Sequence, residues 1–198
     1  MVINPDTWTM PKYDVYFPLG YINEFVEDIY NQVNSKIKMG MNYFDIYILT
    51  QAIINSGNGN HLEIGSLFGG SAIIAALTKK EFDIGGSIYC IDDTKATGKD
   101  YITDNLKLFG VNDRVSLHIG KSNPFPLQQR FSSALIDAGH DYQSCITDWN
   151  NVKQVTDKYI IIHDYDPGHP GVVKASREAM QEWVPVHLSE HSLVLGKI

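Results

Sequence analysis

The 198-residue chain carries only two cysteines, Cys90 and Cys145, each inside an apolar pattern and without metal-ligand spacing to the other. A disulfide framework and a cysteine-based zinc site are therefore not expected, and two buried thiols in a reducing compartment are. Positive charge is also scarce: 16 Lys and Arg stand against 23 Asp and Glu, for a formal net charge of -7. Phosphate binding needs clustered Lys and Arg, so neither a nucleic-acid partner nor an anionic membrane surface is expected. The longest basic run is Lys79-Lys80, which reads as a solvated pair at a helix end. Long hydrophobic runs are missing too. The most apolar stretch, Tyr43 to Ile54, contains Asp45 and Gln51 and is too short to cross a bilayer. The mixed Pro, Asp, Lys and Tyr content of residues 1–19 does not read as a signal peptide, so a soluble cytoplasmic protein is expected. There is no internal repeat and no low-complexity segment.

What is present is an ordinary globular composition, 43% hydrophobic, at a length suited to one α/β domain. Residues 1–19 lack periodicity and read as an arm or lid. From Ile22 the apolar residues Ile22, Phe25, Val26, Ile29, Tyr30, Val33 and Ile37 recur at helical spacing up to Gly40. A second helix is expected over Phe44 to Ile54, ended by Ser56-Gly57-Asn58-Gly59-Asn60. Beyond this breaker, short apolar runs (61–64, 87–91, 115–119, 133–136, 159–162) alternate with helical patterns (70–79, 99–109, 141–155, 171–183). Parallel strands need crossover connections, usually helical, so this alternation predicts a parallel sheet covered on both faces. The runs 184–189 and 192–197 read as a terminal antiparallel hairpin. Residues 1–59 are thus expected to form an arm and helices of the same domain, and 60–198 its ligand-binding part.

Four constellations carry chemistry. In Glu63-Ile64-Gly65-Ser66-Leu67-Phe68-Gly69-Gly70, an acid and two spaced glycines join a strand to a helix. Glycine lets backbone and ligand approach closely, and a helix start offers free N–H groups. The dinucleotide pattern Gly-x-Gly-x-x-Gly is absent, since position 67 is Leu, and Glu63 suits a ligand bearing a cation. A tight turn without a ligand is the plain alternative. Second, the run Ile88 to Ile91 ends in Asp92-Asp93, and Asp92 is the expected partner of ribose hydroxyls, with helix capping as the other reading. Third, Ile136-Asp137 precedes His140, Asp141 and Tyr142; Asp141 is an expected N-cap, and histidine is suited to taking a proton near neutrality. Fourth, Ile162-His163-Asp164-Tyr165-Asp166 leads into a turn rich in Pro and Gly. Asp137 and Asp164, with Asp166 less directly, would make an oxygen site for Mg2+, while contacts of these acids with cofactor or substrate explain them equally. His163 reads as packed between layers.

Glu63-Ile64-Gly65-x-x-x-Gly69, strand-end Asp92, Asp137-x-x-His140-x-Tyr142 and His163-Asp164-Tyr165 before Gly171-Val172 resemble the class I S-adenosylmethionine-dependent methyltransferases. They are most similar to the small-molecule O-methyltransferase branch that includes macrocin-type enzymes. The resemblance spans about His61 to Trp183. It implies a three-layer, Rossmann-like fold with a mostly parallel seven-stranded sheet, a terminal antiparallel hairpin and added N-terminal helices. It further implies that Glu63, Gly65, Ser66, Gly69 and Ser71 surround the methionine part of the cofactor. Asp92 would hold the ribose, and Gly120 to Ser122 would flank the adenine. Asp137 and Asp164 match metal positions of metal-dependent members, and His140 matches a general base. Those members commonly follow the second Asp with another Asp or Asn, whereas here the neighbour is Tyr165. The expected reaction is methyl transfer to a small-molecule hydroxyl, the acceptor being covered by the arm (Tyr13, Tyr16, Phe17) and the loop Tyr165 to His169. A homo-oligomer stays open. So do a metal-dependent hydrolase, an NAD-dependent oxidoreductase and a non-catalytic binding protein on the same sheet.

Overall fold

The computed structural model describes residues 19–189 and 191–197; the arm residues Tyr13, Tyr16 and Phe17 lie outside them. Helix α1 (Leu19–Asn34) is amphipathic, and Ile22, Val26, Ile29 and Val33 form its buried stripe. Helix α2 (Tyr43–Ser56) opens on a capping box: the Asn42 side chain accepts the Phe44 and Asp45 N–H groups, and Asp45 accepts the Asn42 N–H. It closes at Gly57, whose positive φ of 63° suits glycine.

The remaining elements alternate as the hydrophobic runs predict: β1 (Asn60–Ile64), α3 (Gly70–Glu81), β2 (Ile88–Asp92), α4 (Lys99–Leu108), β3 (Val115–Ile119), β4 (Phe131–Ile136), α5 (Tyr142–Val155), β5 (Thr156–His163), α6 (Pro170–Ala179), β6 (Val184–Leu188) and β7 (Ser192–Gly196). They build one seven-stranded sheet in the order β3-β2-β1-β4-β5-β7-β6. Strands β1 to β5 pair in parallel, and β7 joins β5 and β6 antiparallel, which gives the terminal hairpin.

Successive strand residues point to opposite faces, and the core divides accordingly. Ile88, Cys90, Leu135, Ile161 and Val194 pack with α1, α2, α3 and α4; Leu62, Ile64, Ile91, Ile136, Ile162 and Leu195 pack with α5 and α6. Each such aliphatic side chain, fully buried, contributes about 1.5–3 kcal/mol. The result is the three-layer, Rossmann-like architecture. Both cysteines are free and buried. Lys79 departs from the solvated reading: only 2% exposed, its Nζ donates to the Gly59 carbonyl at 2.8 Å and the Gly85 carbonyl at 3.3 Å. It thereby ties the breaker's Gly59 to Gly85, whose carbonyl also accepts the Gly59 N–H at 3.1 Å, while Lys80 is exposed. Among the described residues no helix is long and apolar enough to cross a membrane.

The strand order reverses between β1 and β4, so the connections leaving their carboxyl ends run to opposite faces of the sheet. In open α/β sheets such a switch point is where ligands bind.

Candidate active site

A cavity of about 640 Å³ opens at this switch point, lined by Gly65, Asp92, Asp93, Ser122, Asp137 and Asp148 among others. A smaller one beside it is lined by Met39, Gly65, Ser66, Gly70, Ser71 and Asp137. Asp137 and the Gly65 turn belong to both.

The turn is built for close approach, though partly to protein. Gly65 has φ 87°, and a Cβ there would meet the Asp137 carbonyl oxygen at 2.0 Å. Gly69, at φ 82°, is the left-handed N-cap of α3. Ser66 and Ser71 are nearly buried around Glu63, which is wholly buried. Cys90 Sγ lies 4.0 Å from Glu63 Oε1, whereas Glu63 Oε2 and Ser66 Oγ have no hydrogen-bond partner. Burial pushes the Glu63 carboxyl up to about 8, against the lowering effect of the Ser66 and Ser71 hydroxyls and with the fields of Asp137 and Asp92. The end of β1 thus hides an acid that faces no cation among the described residues.

Asp92 braces the same turn. Its Oδ2 accepts the Ser66 and Leu67 N–H groups at 2.7 and 3.0 Å, and its Oδ1 accepts the Thr94 N–H at 2.6 Å. A carboxylate has about four acceptor positions, so capacity remains toward the cavity. Asp93 lines the cavity too, but is paired with Lys95 at 3.2 Å. At the far end, Ser122 Oγ donates to Asp148 Oδ1, and Asn151 Nδ2 donates to the Ser122 carbonyl at 3.3 Å. Asp148, 3% exposed and held above the usual carboxylate range by burial, is a cavity residue that the sequence reading missed. Its signal was weak: an acid one turn after Ser144 on the buried stripe of α5.

The ends of β4 and β5 hold a second group. His163, 7% exposed, puts Nδ1 3.1 Å from Asp137 Oδ1 and 3.4 Å from Asp164 Oδ1, and Nε2 3.4 Å from Asp45 Oδ2. Burial disfavours its charge, but the hydrogen bonds it donates to Asp137, Asp164 and Asp45 outweigh burial and hold the imidazole protonated well above its usual range. His140 Nε2 lies 2.9 Å from Asp164 Oδ2. Asp141 caps α5, accepting the Ser144 N–H at 3.0 Å.

Asp137 and Asp164 do come together, within reach of His163. Asp166 does not join them: its Oδ2 accepts from His169 Nδ1 and His191 Nδ1, both at 3.1 Å. The turn reverses between the two residues, with Asp164 at φ 57°, and directs the second carboxylate to the hairpin. An all-oxygen Mg2+ site on these three acids does not fit that arrangement. One oxygen of Asp137 and both oxygens of Asp164 already face imidazole nitrogens, and the third acid is turned away.

The family model described as "Methyltransferase domain" matches residues 62–165, just over half of the chain. The chain belongs to this family and, with its fold, to the class I S-adenosylmethionine-dependent methyltransferases. No curated protein matches it. Among solved structures it is similar to an O-methyltransferase from Bacillus cereus in complex with S-adenosylhomocysteine (SAH), at 18% identity and TM-score 0.65, covering 93% of this chain and 94% of that one. It is also similar to TomG, an O-methyltransferase from Streptomyces achromogenes involved in tomaymycin synthesis (14% identity, TM-score 0.62, coverage 89% and 90%). A third is the SAH-bound methyltransferase PaMTH1 of Podospora anserina (14% identity, TM-score 0.66, coverage 89% and 92%). At these identities the likeness is one of fold.

Proposed function

We propose that the chain transfers the sulfonium methyl of S-adenosylmethionine to a hydroxyl oxygen of a small-molecule acceptor. The observation that carries this reading is the buried Glu63, which faces no cation among the described residues, next to a switch-point cavity bordered by Asp92 and Asp137. A cationic, ribose-bearing ligand answers both features, and a dinucleotide does not. Glu63, Gly65, Ser66, Gly69 and Ser71 would receive the methionine end, Asp92 the ribose, and Ser122 the adenine end. Asp137, shared by the two cavities, would lie beside the reacting centre.

In the reaction an acceptor oxygen attacks the methyl carbon, the O–C bond forms, and the S–C electron pair leaves on sulfur. The acceptor proton passes to His140, half-exposed and hydrogen-bonded to Asp164, whose charge stabilises the imidazolium. Holding acceptor, methyl and sulfur in line supplies the rest. No step is assigned to Mg2+, for the reason given by the donor set. The segment 1–59 is read as part of the same domain, and 60–198 as the cofactor-binding part. The absence of a basic run supports a small acceptor over nucleic acid.

The test is a methyl-transfer assay with isotopically labelled S-adenosylmethionine and a panel of small phenols, sugars and hydroxy acids. Label recovered as an O-methyl product, and lost in His140→Ala, is expected. Transfer confined to protein or nucleic acid would overturn the acceptor class.

A further inference from the structure

Besides His163, two further histidines converge on the Asp164 carboxylate. His140 Nε2 lies 2.9 Å from Asp164 Oδ2, and the His140 and His169 rings meet edge-on with centroids 4.8 Å apart. One ligand atom from each of His140, Asp164 and His169 lies within 4.8 Å of the other two. Around one ion with bonds of about 2.0–2.2 Å, tetrahedral ligands stand about 3.3–3.6 Å apart, a spacing that small side-chain rotations would reach.

Two further observations distinguish this group from a chance cluster. Asp166 Oδ2 holds the His169 ring through Nδ1 at 3.1 Å and takes a second bond from His191. A carboxylate behind a ligating histidine is the usual way its ring is fixed. Asp164 also sits at φ 57°, a conformation that L side chains rarely adopt and that aims its carboxylate at His140. By contrast His163 faces carboxylates with both ring nitrogens, so it has no lone pair to offer an ion. His140 and His169 are 48% and 33% exposed, which leaves room for water or an anion in the remaining coordination positions.

We propose that His140, Asp164 and His169 form a site for a borderline divalent cation such as Zn2+ or Co2+, and that its occupation stops His140 from acting as a base. Imidazole donors suit these ions, whereas Mg2+ prefers oxygen throughout. The ion takes the His140 Nε2 that faces Asp164, and the single proton of the neutral ring moves to Nδ1. With metal on one nitrogen and the proton on the other, the ring has no lone pair left to act as a base. The second half of the proposal rests on the reading of His140 as the base; the first does not.

The test titrates Co2+ into the whole, metal-free chain and follows its visible absorption bands together with the binding heat. One Co2+ per chain is expected, displaced by Zn2+ and indifferent to excess Mg2+. His169→Ala should abolish the bands, and Asp166→Asn should weaken binding by about 10–100-fold. Asp137→Asn, outside the triad, should keep the affinity of the wild type. No Co2+ bands, or bands lost in Asp137→Asn but kept in His169→Ala, would overturn the site. SAH titrated into His169→Ala and Asp166→Asn should bind as in the wild type, which separates loss of the ion from loss of the fold or of the cofactor reading. In the transfer assay Zn2+ should inhibit the wild type and spare His169→Ala. Equal inhibition would overturn the link to His140.

Discussion

Glu63 concentrates the chemistry of the site in one side chain. Its folded value of about 8 stands above its ordinary 4.5, so the folded state holds a proton that the unfolded chain releases between those values. Its contribution is therefore fully present below about 4.5 and is lost as pH rises toward 8. In Glu63→Gln the decline of urea-unfolding stability from pH 5 to pH 8 should be shallower than in the wild type. At pH 7 a cationic ligand should also expel the Glu63 proton, seen as binding heats that vary with buffer ionisation enthalpy and cease to vary in Glu63→Gln. That acid was legible in the sequence because it stands two residues before Gly65 at a strand end. The reason for Gly65 was only half legible. Its missing Cβ is required by the Asp137 carbonyl, 72 residues away in a neighbouring strand end, and no local pattern reveals such a contact. Gly65→Ala, strained at φ 87° and in collision with that carbonyl, should cost about 1–3 kcal/mol or more in chemical denaturation.

At the scale of elements, the sheet's parallel part could be read from alternating apolar runs, and its hairpin from two short runs around Glu190-His191. The ties between layers could not. Asp45, 1% exposed, accepts from Ser192 Oγ at 2.8 Å and Ser189 Oγ at 3.3 Å while it pairs with His163 at 3.4 Å. It thereby joins α2 to β5 and β7, whereas in the sequence it is one acid in an apolar helix. Removing its cation leaves a buried charge, so His163→Ala should lower stability by about 3–5 kcal/mol in urea denaturation. The sign with pH follows from both partners. Asp45 is lowered, so its contribution is lost as pH falls through its folded value; His163 is raised, so its contribution is lost only as pH climbs through its own. Acid unfolding of the wild type should therefore begin below the ordinary carboxylate range, and His163→Ala should begin unfolding at higher pH. Lys79 makes the same point: a basic pair at a helix end looks solvated until Gly59 and Gly85 present their carbonyls.

For the whole molecule, the three-layer topology puts the cavity at a switch point of the sheet, and the proposed cofactor is assigned to it there. The gathering of the motifs was legible because each falls at a strand end and strand ends share one edge of the sheet. Partners of the motif residues were not legible: Asp166 turns to His169 and His191, and Asp148 lines the cavity beside Ser122. The central claim is that this cavity takes a sulfonium nucleoside. Its most direct measurement is calorimetric titration of the whole chain with SAH, with NAD as the comparison. Saturable binding of SAH at one site per chain, none of NAD, and weaker SAH binding in Glu63→Gln are expected. Binding of NAD without SAH, or of neither, would contradict the claim.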